Sequence, residues 1–298
     1  MKNLKTFNEF INESKNAKGK GKLKLVFVGD IMQHQKQLDY QDAEGFTYEG
    51  IFDNIKFIFN DADIIIGNLE TTFSGDFGNK TEDGNVYFSA NDKLAKALKE
   101  TGFTHMSVYN NHSFDYGYPG HQRTIQILED AKIEVLQSQK IYTLGDYKVE
   151  IANFTTHVNN EEISASDLSS ITNANPIADI SADFNIAYVH WGGQYTENEI
   201  QEQKRIAEFL KIKGYEIIIG SGPHTVHDVI FDESGKGNVI AYSLGDFIAD
   251  HKNPIAENGG MVLSIEINDN QITDVNGYKT ETEDNTSIVN YISKEYIL

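Results

Sequence analysis

Six apolar runs in this sequence end in the same way, and that repetition constrains the chain more than any other feature. LKLVFV (23–28) is followed by Gly29 and Asp30, DIII (63–66) by Gly67, Asn68, Leu69 and Glu70, and FTHMSVY (103–109) by Asn110, Asn111 and His112. NIAYV (185–189) is followed by His190, Trp191 and Gly192, YEIII (215–219) by Gly220, Ser221, Gly222, Pro223 and His224, and VIAYSL (239–244) by Gly245 and Asp246. Short runs rich in Val and Ile, punctuated by glycine, read as buried strands. Ligand sites in α/β sheets lie beyond the carboxyl ends of the strands. Aligned strands would therefore gather these carboxylates, amides and imidazoles in one place.

Helical patterns lie between the runs, at 94–98, 120–130 and 197–213; the last carries Ile200, Ile206, Phe209 and Leu210 on one side. Segment 147–154 alternates as a half-buried strand does, and further strands are read at 226–231, 239–242 and 261–267. Alternating helices and strands followed by a strand-rich stretch predict an α/β (α+β) sandwich with some antiparallel sheet. The expected organisation is a tail over 1–22, one domain over 23–268, and a polar C-terminal extension over 269–298 that packs on it. In the tail, Leu4, Phe7 and Ile11 suggest a short amphipathic helix before a Lys/Gly-rich linker. Segment 159–176 reads as a long loop over one face, and the specificity loops, 74–87 and 159–176, carry no readable substrate code.

Composition excludes several functions. The 298 residues carry 25 basic and 45 acidic side chains, a net charge of −20, with no basic stripe. A nucleic-acid groove is not expected. An anionic substrate, small or polymeric, would be repelled unless bound cations inverted the local field. There is no cysteine, so any metal must sit among oxygen and imidazole ligands. No apolar run approaches a membrane span, and the first residues lack a signal-peptide core, so the expected location is cytoplasmic.

Taken together, GDIM (29–32), GNLE (67–70), NNHSFDYG (110–117), HWG (190–192), PH (223–224) and YSLGDF (242–247) resemble the CapA-like proteins. These are named for bacterial capsule and poly-γ-glutamate synthesis and belong to the calcineurin-like metallophosphoesterase superfamily. The resemblance runs from about residue 23 to 267 with the motifs in family order. It implies a four-layer α/β/β/α sandwich with mixed sheets and two divalent metal ions, Mn²⁺, Zn²⁺ or Fe, at the strand ends. By the same resemblance Asp30 would bind the first metal and Glu70 bridge both. Asn111 and His190 would bind the second, and His224 would complete the first. His112 would be the general acid, oriented by Asp115. Asn68, Asn110, His157, Trp191 and Asp246 are expected around the substrate pocket, with packing beneath the site as the first reading of Trp191.

Three positions depart from the family pattern. Met32 stands where metallophosphoesterases commonly have the His of Asp-x-His, and His34 is the candidate substitute. Gly222 stands where a ligating His is usual, leaving the second metal a ligand short, with His227 as a distant replacement. Asp246 replaces an Asn. His105 reads as core, His121 as a helix start and His251 as part of a polar loop. The expected function is a metal-dependent phosphoester hydrolase of unknown substrate. The alternatives are an enzyme acting on an amide bond of a capsule polymer, and a binding protein of the same fold without turnover.

Overall fold

The computed structural model describes residues 20–45, 47–75, 78–82, 85–156, 158–159, 176–256 and 259–297. The expected N-terminal helix, His157 and most of the 159–176 loop lie outside the described residues.

The apolar runs become two sheets. In the first, β1 (Lys22–Ile31) is flanked by β2 (Ile64–Leu69), β5 (His105–Ser107) and β6 (Glu134–Val135) on one side, and by β14 (Gly259–Asn268), β15 (Gln271–Thr282) and β16 (Val289–Tyr296) on the other. Short β13 (Asp246–Ile248) also pairs with β1. The second sheet runs β11 (Val229–Asp232), β12 (Asn238–Ala241), β10 (Ile217–Ser221), β9 (Phe184–His190), β8 (Tyr147–Thr155), β7 (Gln139–Leu144). Both sheets mix parallel and antiparallel pairs. A separate hairpin joins β3 (Lys80–Glu82) to β4 (Asn85–Tyr87).

The period-2 geometry of strands explains the layering. Along β1, Leu23, Leu25 and Phe27 face the second sheet and pack with Ile186, Tyr188, Ile217 and Ile219. Val26 and Val28 face the opposite way. They join the cluster of Leu94 and Leu98 from α3 (Lys93–Thr101) and Leu128 from α4 (Gly117–Asp130), the helices that follow α1 (Gln35–Ala43) and α2 (Lys56–Phe59). On the far side, Ala187, Val189 and Ile218 pack against Ala207 and Leu210 of α5 (Gln201–Ile212). The result is helix, sheet, sheet, helix. Burial on both faces is why these strands read as unbroken apolar runs.

The C-terminal residues differ from expectation. Instead of an appended extension, 271–282 and 289–296 are long antiparallel strands that continue the first sheet. Asn268 pairs with Gln271 across a two-residue turn, Asp269-Asn270, with φ of 48° and 61°. Asp and Asn tolerate the left-handed region that such hairpin turns require. Polar residues on the open face of this ribbon hid the strand pattern. Among the described residues, no helix is long and apolar enough to cross a membrane.

Candidate metal centre

The parallel registers bring the polar strand ends together. Asp30 lies opposite Asn68 on β2 and Asp246 on β13, and Ser221 lies opposite His190 on the second sheet. Glycine permits the tightest approach. A Cβ at Gly29 would fall 1.9 Å from the Gly245 carbonyl, which instead accepts the Asp30 N–H at 2.9 Å.

Asp30, Glu70, His190, His224 and Asp246 form one buried group, each no more than 1% exposed. His224 Nδ1 is 3.0 Å from Asp246 Oδ1 and 3.4 Å from Asp30 Oδ2, and its Nε2 is 3.7 Å from Glu70 Oε1. His190 Nε2 is 3.9 Å from the same Glu70 oxygen. Its Nδ1 lies 3.3 Å from both Asn68 Nδ2 and Ser221 Oγ. Ligand atoms of Asp30, Glu70 and His224 lie within 4.8 Å of one another, as do those of His224, Asp246 and His251.

This donor set fits a divalent cation. Burying an ionised carboxylate without a counter-charge is strongly unfavourable, and here three converge. Glu70 Oε1, Asp246 Oδ2 and Asn111 Oδ1 are buried without a hydrogen bond. Carboxylate, amide oxygen and imidazole together suit Zn²⁺, Mn²⁺ or Fe. The protonation of the group points the same way. Burial, with the charge of Asp30 added, holds the Glu70 carboxyl well above its ordinary 4.5. Burial opposes a charged His224, but Glu70 and Asp246 outweigh it and hold the imidazole well above 6.5.

A prediction about stability follows. Both groups hold more protons folded than unfolded, so their contribution is lost as pH rises above 4.5 for Glu70 and above 6.5 for His224. In chelator, the melting temperature is expected to fall between about pH 5 and about pH 8, and saturating Mn²⁺ or Zn²⁺ should abolish that fall. Calorimetry across pH with and without metal checks it; the same slope in both conditions refutes it.

Several expected residues take other places. His112 is buried beside the group; its Nδ1 is 2.8 Å from Asp115 Oδ2, and its Nε2 faces Asn159 Nδ2 at 3.5 Å. Asp115 Oδ2 also accepts the Phe88 N–H at 2.7 Å. Asn68 and Asn110 do not line the pocket. Asn68 Nδ2 braces Asp30 Oδ1 at 2.8 Å, and Asn110 Nδ2 donates to Asn68 Oδ1 at 3.0 Å. Trp191 is fully buried against α5 with its Nε1–H on the Tyr242 carbonyl, so it packs beneath the site and not beside a substrate. Asp246 is likewise wholly buried.

His34 is not placed as a ligand. Its Nδ1 accepts the Asp250 N–H at 3.0 Å. Burial, with His251 adding, holds it down to about 3, so the neutral ring keeps its proton on Nε2. His227 turns its Nε2 to the Thr196 carbonyl at 2.7 Å, away from the group. At Gly222 the backbone has φ 110°, and a Cβ would lie 2.9 Å from His190 Cε1. The missing His is therefore not a simple truncation, because only glycine accepts this conformation. Its N–H donates to Asp30 Oδ2 at 3.0 Å.

The residue that sequence reasoning missed is His251. Its Nε2 sits 3.3 Å from Asp246 Oδ2, and its ring lies 4.5 Å from both His34 and His224. Only the five-residue spacing from Asp246 hinted at it. Above the group opens a pocket of about 690 Å³, bordered by the β3–β4 hairpin and by Phe88, His112, Asn159, Tyr195 and His251. Its described lining contains no Lys or Arg.

The fold and site define a class, a two-sheet α/β sandwich with an acid–imidazole group of metal-binding composition at its strand ends. Residues 24–251 match the family described as bacterial capsule synthesis protein PGA_cap, and the chain belongs to that family. It is 28% identical over 246 residues to the PGA biosynthesis protein CapA of Bacillus subtilis, covering 76% of this chain and 63% of that protein. It is 27% identical over 252 residues to the capsule biosynthesis protein CapA of Bacillus anthracis, covering 77% and 60%. The chain thus spans less than two thirds of the length of these curated relatives. Among solved structures it resembles a novel phosphatase from Mycoplasma pneumoniae, with a TM-score of 0.49, 14% identity and 93% of each chain covered.

Proposed function

We propose that this chain is a divalent-metal-dependent hydrolase and that the bond it cleaves is a phosphoester. The observation that carries the reading is the buried trio Asp30, Glu70 and Asp246, with Glu70 Oε1, Asp246 Oδ2 and Asn111 Oδ1 left without hydrogen bonds. Asp30, Glu70 and His224 would hold one cation; Glu70, Asn111 and His190 would hold a second. Divalent cations, if held there, would supply charge for the substrate's oxygens and lower the pKa of a water towards about 7.

The chain's own groups do the rest. His112 turns Nε2 towards the pocket, where it donates a proton to the leaving oxygen. Asp115 holds the ring through Nδ1 and is itself held by the Phe88 N–H. Asn68 keeps Asp30 and Glu70 apart at a fixed spacing. With no Lys or Arg in the described lining, bound cations are the charge that would meet a phosphoryl group.

A second reading comes from the names of the relatives, which place them in capsule and PGA biosynthesis. It makes the substrate a capsule polymer and the bond an amide. The metal-loaded protein offered an aryl phosphate monoester, a diester and poly-γ-glutamate separates the two. Phosphate release with Mn²⁺, lost in chelator, supports the phosphoesterase. Release of glutamate alone supports the polymer enzyme. Bound metal with turnover of neither supports a binding protein.

A further inference from the structure

Tyr195 and His251 have no part in the chemistry above, yet with Asp246 they form one line that ends on His224. Tyr195 Oη is 3.2 Å from His251 Nδ1, His251 Nε2 is 3.3 Å from Asp246 Oδ2, and Asp246 Oδ1 is 3.0 Å from His224 Nδ1. The rings stack in the same order, with Tyr195–His251 centroids at 5.4 Å and His251–His224 at 4.5 Å. Tyr195 and His224 both adopt left-handed backbone, φ 58° and 61°, which residues with a Cβ rarely do. The Tyr195 N–H donates to the carbonyl of Pro223, the residue before His224, so the two strained positions are tied together. Strain of this kind persists where the surroundings over-determine it, and it concentrates at functional sites.

Chemistry fixes the direction of the line. Asp246 as a carboxylate only accepts, so His224 Nδ1 donates to its Oδ1. His251 Nε2 faces the other carboxylate oxygen across an ion-pair contact of 3.3 Å, which leaves Nδ1 to accept from the Tyr195 hydroxyl. With its Nδ1 proton held by Asp246, His224 would offer Nε2, the nitrogen 3.7 Å from Glu70 Oε1, to a bound cation.

We infer that Tyr195, His251 and Asp246 are positioning residues that lock His224 in the Nδ1–H tautomer and so set the affinity of the metal centre from outside it. This rests on the reading of Asp30, Glu70 and His224 as cation ligands. A carboxylate behind a ligating imidazole fixes its ring and raises its basicity, and losing such a partner weakens metal binding by about 10–100-fold. Asp246 does this directly, and His251 and Tyr195 hold Asp246.

The test is Zn²⁺ affinity by competition with a chromophoric chelator, in the full chain. Asp246→Ala and His251→Leu should bind about 10–100-fold more weakly, and Tyr195→Phe a few-fold more weakly. His251→Gln, which accepts from Tyr195 and donates to Asp246, should return to within a few-fold of wild type. In the zinc-loaded protein with ¹⁵N-labelled histidine, His224 should carry its proton on Nδ1 and the metal on Nε2. Wild-type affinity in His251→Leu, with circular dichroism unchanged, overturns the inference, as does ligation of His224 through Nδ1. Loss in His251→Gln equal to that in His251→Leu makes His251 a ligand and also overturns it. If wild type takes up no Zn²⁺ or Mn²⁺, the metal centre itself falls and the inference falls with it. Should Asp246→Ala not fold, the Leu and Gln variants at 251 decide.

Discussion

Glu70→Ala is expected to lose bound divalent metal almost completely, while His112→Ala keeps it. Glu70 is wholly buried, and its Oε1 lies between the two imidazoles, 3.7 Å from His224 Nε2 and 3.9 Å from His190 Nε2. In the proposed function it is the carboxylate that would serve both cations, and removing it would take away their shared anion. The effect should exceed the roughly 10–100-fold cost of removing a mere partner of a ligand. His112 instead spends Nδ1 on Asp115 and points Nε2 at Asn159. Metal per protein, measured after equilibration with Mn²⁺ at fixed free concentration, checks the contrast. Equal losses in both variants would mean that the bridging role of Glu70 or the metal-free role of His112 is wrong.

His112→Asn is expected to keep metal but lose roughly 10²–10⁴ in kcat on substrates with poor leaving groups, the range for a general acid. Asparagine matches the bulk of the ring's near end but has no proton to transfer. The loss should be much smaller for nitrophenyl esters, whose leaving group departs without one. The geometry supports a proton donor: Asp115 anchors one ring nitrogen, Phe88 packs edge-on at 4.8 Å, and the other nitrogen faces the pocket. Burial raises the Asp115 carboxyl, and its hydrogen bond from His112 opposes that. Asp115→Asn is expected to cost less than His112→Asn, because it loosens the ring's anchor but leaves the imidazole in place. If aryl and alkyl esters lose the same factor in His112→Asn, His112 acts through binding or positioning. If neither changes, it is only a turn residue.

What could be read from the sequence was what is local to each strand end. Asp30, Glu70, His190 and His224 each follow an apolar run, and such a run in an α/β chain predicts where its carboxyl end emerges. The apolar runs pointed to buried strands of an α/β sandwich, and the resemblance implied the four layers. The structure alone decided which way a strand-end side chain turns and what returns to meet it. Asn68, Asn110 and Trp191 follow strands just as Asp30 does, yet they point inward as braces and packing. Asp246 reaches His224 because β13 pairs with β1, and His251 arrives from the polar segment beyond it. The ribbon of β15 and β16 joined the sheet through its neighbours and not through its own hydrophobicity. Apolar periodicity is a property of a few adjacent residues, whereas register, side-chain direction and loop return depend on partners distant in sequence. For that reason the polar strand-end residues were legible in the sequence, and the approach of Asp246 and His251 to His224 was not.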